Sequence, residues 1–247
     1  MRRKIRFREY TKEYIKETGR KNKMGYITIE DMILYEDKDL LVCHKLAGMP
    51  VQNNRVGKQD LEHALLGYLA RKKEPLYLAV IHRLDQPVEG ILVFAKNKKS
   101  AAGLNKQMQD GKIDKYYLAV TSKIPEKKSG RLEDWMIKDA KTNTSRIAKE
   151  SESGKKKAVL EYQVLREKDE MALMEIHLFT GRHHQIRVQT VNAGFPLYGD
   201  TKYNPEFADT RKWVQIALCA YKLSFVHPIT KKQMKFEIPT PEHFPEI

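Results

Sequence analysis

Cysteine is nearly missing from this chain: Cys43 and Cys219 are the pair in 247 residues, and neither stands in a Cys-x-x-Cys arrangement. That speaks against a disulfide framework and a thiolate zinc site, and a reducing cytoplasm is the expected compartment. No stretch approaches the ~20 apolar residues that a membrane-spanning helix needs. The opening Met1-Arg2-Arg3-Lys4-Ile5-Arg6 has no apolar run behind it, so a secretory signal is not expected. Acidic residues are in deficit: 32 Asp and Glu face 46 Lys and Arg, leaving a net charge of +14. A hydrophobic fraction of 41% against a charged fraction of 32% describes a globular protein with a sizeable core, not a disordered one.

So large a positive charge attracts polyanions and gains entropy by releasing the counterions condensed on nucleic acid. It is unevenly spread. Residues 1–25 hold ten Lys and Arg against three Glu, half of the net total. Phe7, Tyr10 and Tyr14 in that segment fall at helical spacing, which fits a short amphipathic helix with a basic outer face, an arm suited to RNA; a poorly ordered terminus with a solvated charge run is the alternative. Residues 1–28 are therefore set apart as a basic extension, and 29–247 as one domain.

Beyond it, strands are predicted at Met32–Tyr35, Leu40–His44, Leu78–Ile81, Gly90–Ala95, Lys115–Val120, Val159–Leu165, Ala172–Leu178, Gln215–Phe225 and Gln233–Ile238. Asp60 reads as the N-cap of a helix with Leu61, Leu65 and Leu69 on one side. Ser100 reads as the cap of another helix that Gly111 ends. Residues 123–157, polar and Lys-rich, read as an exposed loop pinned at Trp135 and Met136. A helical stretch is expected from His183 to Ala193. Strands dominate without regular β-α-β alternation, so the expected class is α+β, with a mixed, largely antiparallel central sheet, flanking helices and a catalytic cleft.

Three segments carry chemistry. His82-Arg83-Leu84-Asp85 packs three ionisable groups between two apolar runs, where charge is costly unless paired or used. Thr180-Gly181-Arg182-His183-His184-Gln185-Ile186-Arg187 offers a strand-to-helix turn, with His183 and Arg187 on one helical face and Arg187 as a fixed cation for a carboxylate elsewhere. Adjacent histidines invite a zinc hypothesis, but no His-Glu-x-x-His and no paired Cys/His cluster supports it, and no metal is expected. Lys115-Tyr116-Tyr117-Leu118-Ala119-Val120 is an alternating strand with one tyrosine facing inward. Read alone, each segment also fits an ordinary turn, cap or core strand.

Together these segments resemble the RluA-type RNA pseudouridine synthases. His82–Asp85 with Gly90–Lys96 is similar to that family's active-site motif, and Lys115–Val120 to its Lys-x-Tyr-x-Ala strand. Gly181–Val188 continued by Gly194-x-Pro196-Leu197-x-Gly199-Asp200 is similar to its third motif. Leu34–Pro50 resembles its first motif and Ala217–Pro228 its ending. The resemblance implies the pseudouridine synthase fold and isomerisation of uridine in ribosomal or transfer RNA, with no cofactor and no metal, by a cytoplasmic monomer. It implies catalytic roles for Asp85, Tyr117 and Arg187, and RNA contacts at Arg83, His82, Arg182, His184 and Gln185. A buried uracil must leave its stack to react, so base flipping is implied too, with Arg83 filling the vacated place. Departures are Val88-Glu89 where the family has Thr-Ser, His183 for Thr, Gln189 for His and Leu46 for Pro. A non-catalytic RNA-binding protein on the same scaffold is the rival reading, and a two-carboxylate glycosidase, drawing on Glu89 or Asp200, a more distant one.

Overall fold

The structure, a computed structural model, describes residues 27–53, 60–208 and 214–247. The amphipathic helix expected within 1–25 lies outside them. The described residues fall into two compact units: 27–53 and 60–108 with 227–232, and 109–208 and 214–226 with 233–247.

In the first unit the four-residue strand β1 (Ile33–Glu36) pairs antiparallel with β2 (Leu40–Lys45), and β2 pairs antiparallel with β4 (Glu89–Ala95). A two-residue strand, β3 (Ala79–Val80), joins the far end of β4. Asp37 makes the β1–β2 turn, its Oδ1 accepting from the backbone N–H groups of Asp39 and Leu40 at 2.8 and 2.7 Å. Every position of β2 is buried, as are Gly90–Ala95 of β4, which explains why these strands read as continuous apolar runs. Helix α1 (Leu61–Arg71) starts at Asp60, whose side chain accepts from the His63 N–H. Its Leu61, Leu65 and Leu69 are fully buried, each burial contributing roughly 2 kcal/mol. Helix α2 (Lys98–Gln109) starts two residues before Ser100, and its cap is Asn97, whose Oδ1 accepts from the Ser100 N–H at 2.9 Å. Asn at that position frees the first turn earlier than the sequence suggested. Gly111, at φ +67°, follows the helix end as expected.

The second unit is a run of antiparallel strands in the order β11–β10–β5–β9–β8–β6–β7. In chain order these are β5 (Asp114–Thr121), β6 (Ser129–Asp139), β7 (Thr144–Ile147), β8 (Lys156–Lys168), β9 (Met171–Leu178), β10 (Leu218–Val226) and β11 (Gln233–Glu237). Helices α3 (Gln185–Asn192) and α4 (Pro205–Ala208) complete it. The expected loop over 123–157 is corrected here, since it contains all of β6 and β7. Cross-strand charge pairs stand where apolar alternation would have announced the strands: Arg131 with Glu161 at 2.8 Å and Lys157 with Glu133. The α+β class with a largely antiparallel sheet is what the chain adopts. Both cysteines are buried, and neither is in a disulfide.

Candidate active site

Asp85 lies on the eight-residue connection from β3 to β4, half-buried, in a turn closed by the Val88 N–H donating to its carbonyl at 3.0 Å. The connection is fastened from below by a residue the sequence reading passed over. Lys45, at the end of β2 and with no exposed surface, donates through Nζ to the carbonyl oxygens of Met49 (2.8 Å), Leu46 (3.0 Å) and Gln86 (3.2 Å). Backbone and side chain of Gln86 bind the same neighbour, since Gly48 N–H donates to the Gln86 carbonyl and Gln86 Nε2 to the Gly48 carbonyl. One buried ammonium thus ties the 46–49 loop to the residue following Asp85. A cation in such a place is costly unless its donors are used, and three of its acceptors are carbonyl oxygens of these two loops. Beside it Glu89 lies 3.3 Å from His44, both side chains nearly buried. His82 is half-buried, its Nε2 accepting from the Val93 N–H at 3.4 Å, and Arg83 is exposed.

The second unit holds the other two motif residues. Tyr117 is buried on β5, on the same side of the strand as Lys115, whereas Tyr116 turns the other way and stacks on His177 at 4.3 Å. Burial, with repulsion from Arg182, lowers the Lys115 pKa to about 8. Arg187 is buried on α3 and grips Asp200 in a two-point pair, Nε to Oδ2 at 2.8 Å and Nη2 to Oδ1 at 2.7 Å. Asp200 Oδ1 also accepts from the backbone N–H groups of Lys202 and Tyr203, and the guanidinium stands 5.0 Å from the Tyr203 ring centre. Gly199 makes this approach possible. It has φ +74°, and a Cβ there would lie 2.3 Å from the Gln215 carbonyl oxygen.

The helix begins later than expected. His184 takes the left-handed conformation, φ 54°, so α3 opens at Gln185 and His183 shares no helical face with Arg187. The two histidine rings instead stack 3.7 Å apart, His183 Nδ1 lying 2.8 Å from Ser145 Oγ and His184 Nδ1 2.6 Å from the Tyr203 hydroxyl. Gln185 is buried and closes the turn internally. Its Oε1 accepts from Thr180 Oγ1 and the Arg182 N–H, and its Nε2 donates to Val159 O and Gln189 Oε1. The turn's N–H groups, expected to invite anions, are thus partly spent on Gln185. Arg182 is exposed and donates through Nε to Lys157 O at 2.7 Å.

Among the described residues, Asp37, Asp39 and His227 of the first unit group their ligand-type atoms within 4.8 Å. His227 Nδ1 accepts from the N–H groups of Ile229 and Thr230, so a neutral ring carries its proton on Nε2 and donates it to Asp37 Oδ2 at 2.9 Å. In that tautomer neither ring nitrogen offers a lone pair to a metal, and the group pins the β1–β2 turn. No helix among the described residues is long and apolar enough to cross a membrane.

Residues 39–192 match the family described as RNA pseudouridylate synthase. An uncharacterised RNA pseudouridine synthase of Bacillus subtilis is 33% identical over 224 residues, covering 87% of this chain and 71% of that protein. A ribosomal large subunit pseudouridine synthase D of Zymomonas mobilis is 32% identical over 222 residues, covering 85% and 69%. Among solved structures, the human RNA pseudouridylate synthase domain containing 4 superposes with a TM-score of 0.72 at 23% identity, over 87% of this chain and 90% of that one, a likeness of fold.

Proposed function

The chain belongs to the RNA pseudouridylate synthase family, and from that footing we propose that Asp85 is the carboxylate through which it isomerises uridine in ribosomal or transfer RNA. One observation carries the reading: the family match over 39–192 spans Asp85, Tyr117 and Arg187 together, each in its motif. In the reaction the C1′–N1 bond breaks, the uracil turns, and C5 joins C1′; the C5 proton leaves to solvent and N1 takes one up. Nothing is oxidised and no group is imported. Asp85 attacks or stabilises the electron-poor centre left when the glycosidic bond opens, as carboxylates do in sugar chemistry. Tyr117 packs against the uracil ring. Arg187 is the fixed cation of the site, and the Asp200 pair sets the plane of its guanidinium.

The target base is extruded from its stack at a cost of a few kcal/mol, and the exposed Arg83 enters the space it leaves. His82 and His184 shape the ground that the RNA meets. Arg182 lends it charge, and Gln185 acts through the turn it closes rather than by touching RNA. Residues 29–247 form the catalytic domain, and the basic residues 1–28 are an extension that grips RNA. Because relatives are named for the large ribosomal subunit, ribosomal RNA is the first pool to try.

The test is tritium release to water from RNA transcribed with 5-tritiated uridine, with ribosomal and transfer RNA in separate reactions. The wild type is expected to release tritium from one pool. Asp85→Asn is expected to retain RNA binding and fall at least ~100-fold in rate. Release by Asp85→Asn above about one per cent of the wild-type rate removes Asp85 from its role. Binding without release from either pool, by the wild type, turns the reading to a non-catalytic RNA-binding protein.

A further inference from the structure

Trp135 stands on β6 at 48% exposure while its neighbour Met136 is buried at 3%. The inward side of that strand is well occupied: Met136 packs with Ala158 and with Val188 of α3, joined by Ile147 and Tyr203. The outward indole is the kind of residue that folding hides when nothing else needs it. Its surroundings are cationic. Lys155 Nζ lies 5.7 Å from an indole ring centre, and Lys157 is the cross-strand partner of Trp135. The segment from Trp135 to Lys157 carries seven Lys and Arg against three Asp and Glu, with Lys138, Lys141, Arg146, Lys149, Lys156 and Lys157 exposed. Four residues back on the same side of β6, about 13 Å away by strand rise, Arg131 stands 5.3 Å from the ring centre of the exposed Phe179. Glu133, between them, is held by Arg131 and Lys157, so its charge is answered within the surface.

Exposed aromatic rings flanked by cations are what unpaired nucleic acid asks of a protein, because every base has a face to stack and every nucleotide a phosphate to neutralise. We propose that the outward face of the β6–β8 surface, centred on Trp135 with Phe179 beyond it, is a stacking platform for single-stranded RNA flanking the modified uridine. This rests on RNA being the substrate. The platform is rigidly referenced to the helix that carries Arg187. Gln189 and Asn192 of α3 donate to Asp134 at 2.7 and 3.3 Å, and Ser145 of β7 meets His183 just ahead of that helix. RNA held at Trp135 would therefore enter the reaction in a fixed register with Arg187.

The chain has two tryptophans, so Trp213→Phe leaves Trp135 as the one indole reporter. Titrating that variant with oligouridine at low salt is expected to quench its fluorescence along the same isotherm as binding measured by anisotropy of a labelled oligouridine. In the otherwise wild-type chain, Trp135→Ala is expected to weaken oligouridine binding about 5- to 100-fold, with Trp135→Phe staying within about threefold of wild type. In tritium release, Trp135→Ala should raise KM for RNA and leave kcat unchanged. Absence of quenching, or a Trp135→Ala affinity within about twofold of wild type, overturns the platform. A wild type that shows quenching but releases tritium from no RNA pool fails the assigned reaction and upholds the platform.

Discussion

Replacing Lys115 by Met should make the protein more stable. The side chain is buried on β5 with 6% of its surface exposed, and its Nζ lies 3.9 Å from where a Cβ on Gly181 would stand. Burial, reinforced by the Arg182 charge, brings its pKa down from 10.5 to about 8. A drop of that size corresponds to roughly 3 kcal/mol held against the protonated form, an upper limit because relaxation and water entry lower the real cost. Met keeps the length and apolar stem of Lys and removes the charge, so a gain of about 1–2 kcal/mol at pH 7 is expected. In a chain of this size that is roughly 2–8 °C in Tm.

The sign follows from proton counts. Between pH 8 and 10.5 the unfolded chain binds more protons at this position than the folded one, so wild-type stability rises with pH across that window. The Met variant has no such rise, and its advantage should shrink toward pH 10.5. Thermal melts of both proteins at pH 7, 8.5 and 10 measure this directly. A Met variant that melts at or below the wild type at pH 7 refutes the reasoning, since it would mean that the ammonium's partners outweigh its burial.

Asp200→Asn should lower stability by about 3–5 kcal/mol and abolish tritium release, because it removes the carboxylate that holds the buried Arg187 guanidinium at two points. Denaturant unfolding measures the first, and a loss below about 1 kcal/mol would show that water or another group takes over the guanidinium. Glu36 accepts from Lys72, Lys96 and Tyr68, and these bonds bring its pKa from 4.5 to about 2 against the opposing effect of burial. Its folded-state value is depressed, so its contribution is present above pH 4.5 and is lost as pH falls toward 2. Glu36→Gln should accordingly be less stable than wild type at pH 7, with the gap closing in acid. A gap that is constant from pH 7 to pH 2.5 would show that this network adds nothing through charge.

Some of this was open to reading in the chain and some was not, for physical reasons. The connection carrying Asp85 announced itself because three ionisable groups interrupt two apolar runs, and a folded chain hides such a cluster only at a cost. Strands β2, β4 and β9 were legible from apolar runs or alternation. Strand β6 was not, because on its inward side Met136 alone is fully sunk, and its outward side is stitched by ion pairs that look in sequence like a solvated charge run. The start of α3 was misplaced because His184 adopts φ 54°. Glycine at such a position would have signalled the break, whereas histidine gives no sign. Asp200 was noticed as a neighbouring acid in a motif, but its pairing with Arg187 depends on a turn set by Gly199, which only three dimensions reveal. Lys45 was invisible because a lysine in a strand is ordinarily assigned to solvent.

Two departures from the family pattern are each met by a local partner. Glu89, where the family has Ser, would leave a nearly buried carboxylate beside the turn of Asp85, but His44 on the neighbouring strand lies 3.3 Å from it. His183, where the family has Thr, would put an imidazole at the approach to α3, but Ser145 from β7 meets its Nδ1 at 2.8 Å and His184 stacks on its ring. Each altered side chain has found a partner within its own unit. The Lys45 clamp still grips the residue after Asp85, and the Asp200 pair still orients Arg187. The partner of His183 is a residue of the β6–β7 hairpin, the same hairpin whose outer face presents Trp135. A change at 183 is therefore coupled to where that hairpin sits, and through it to the RNA it would hold.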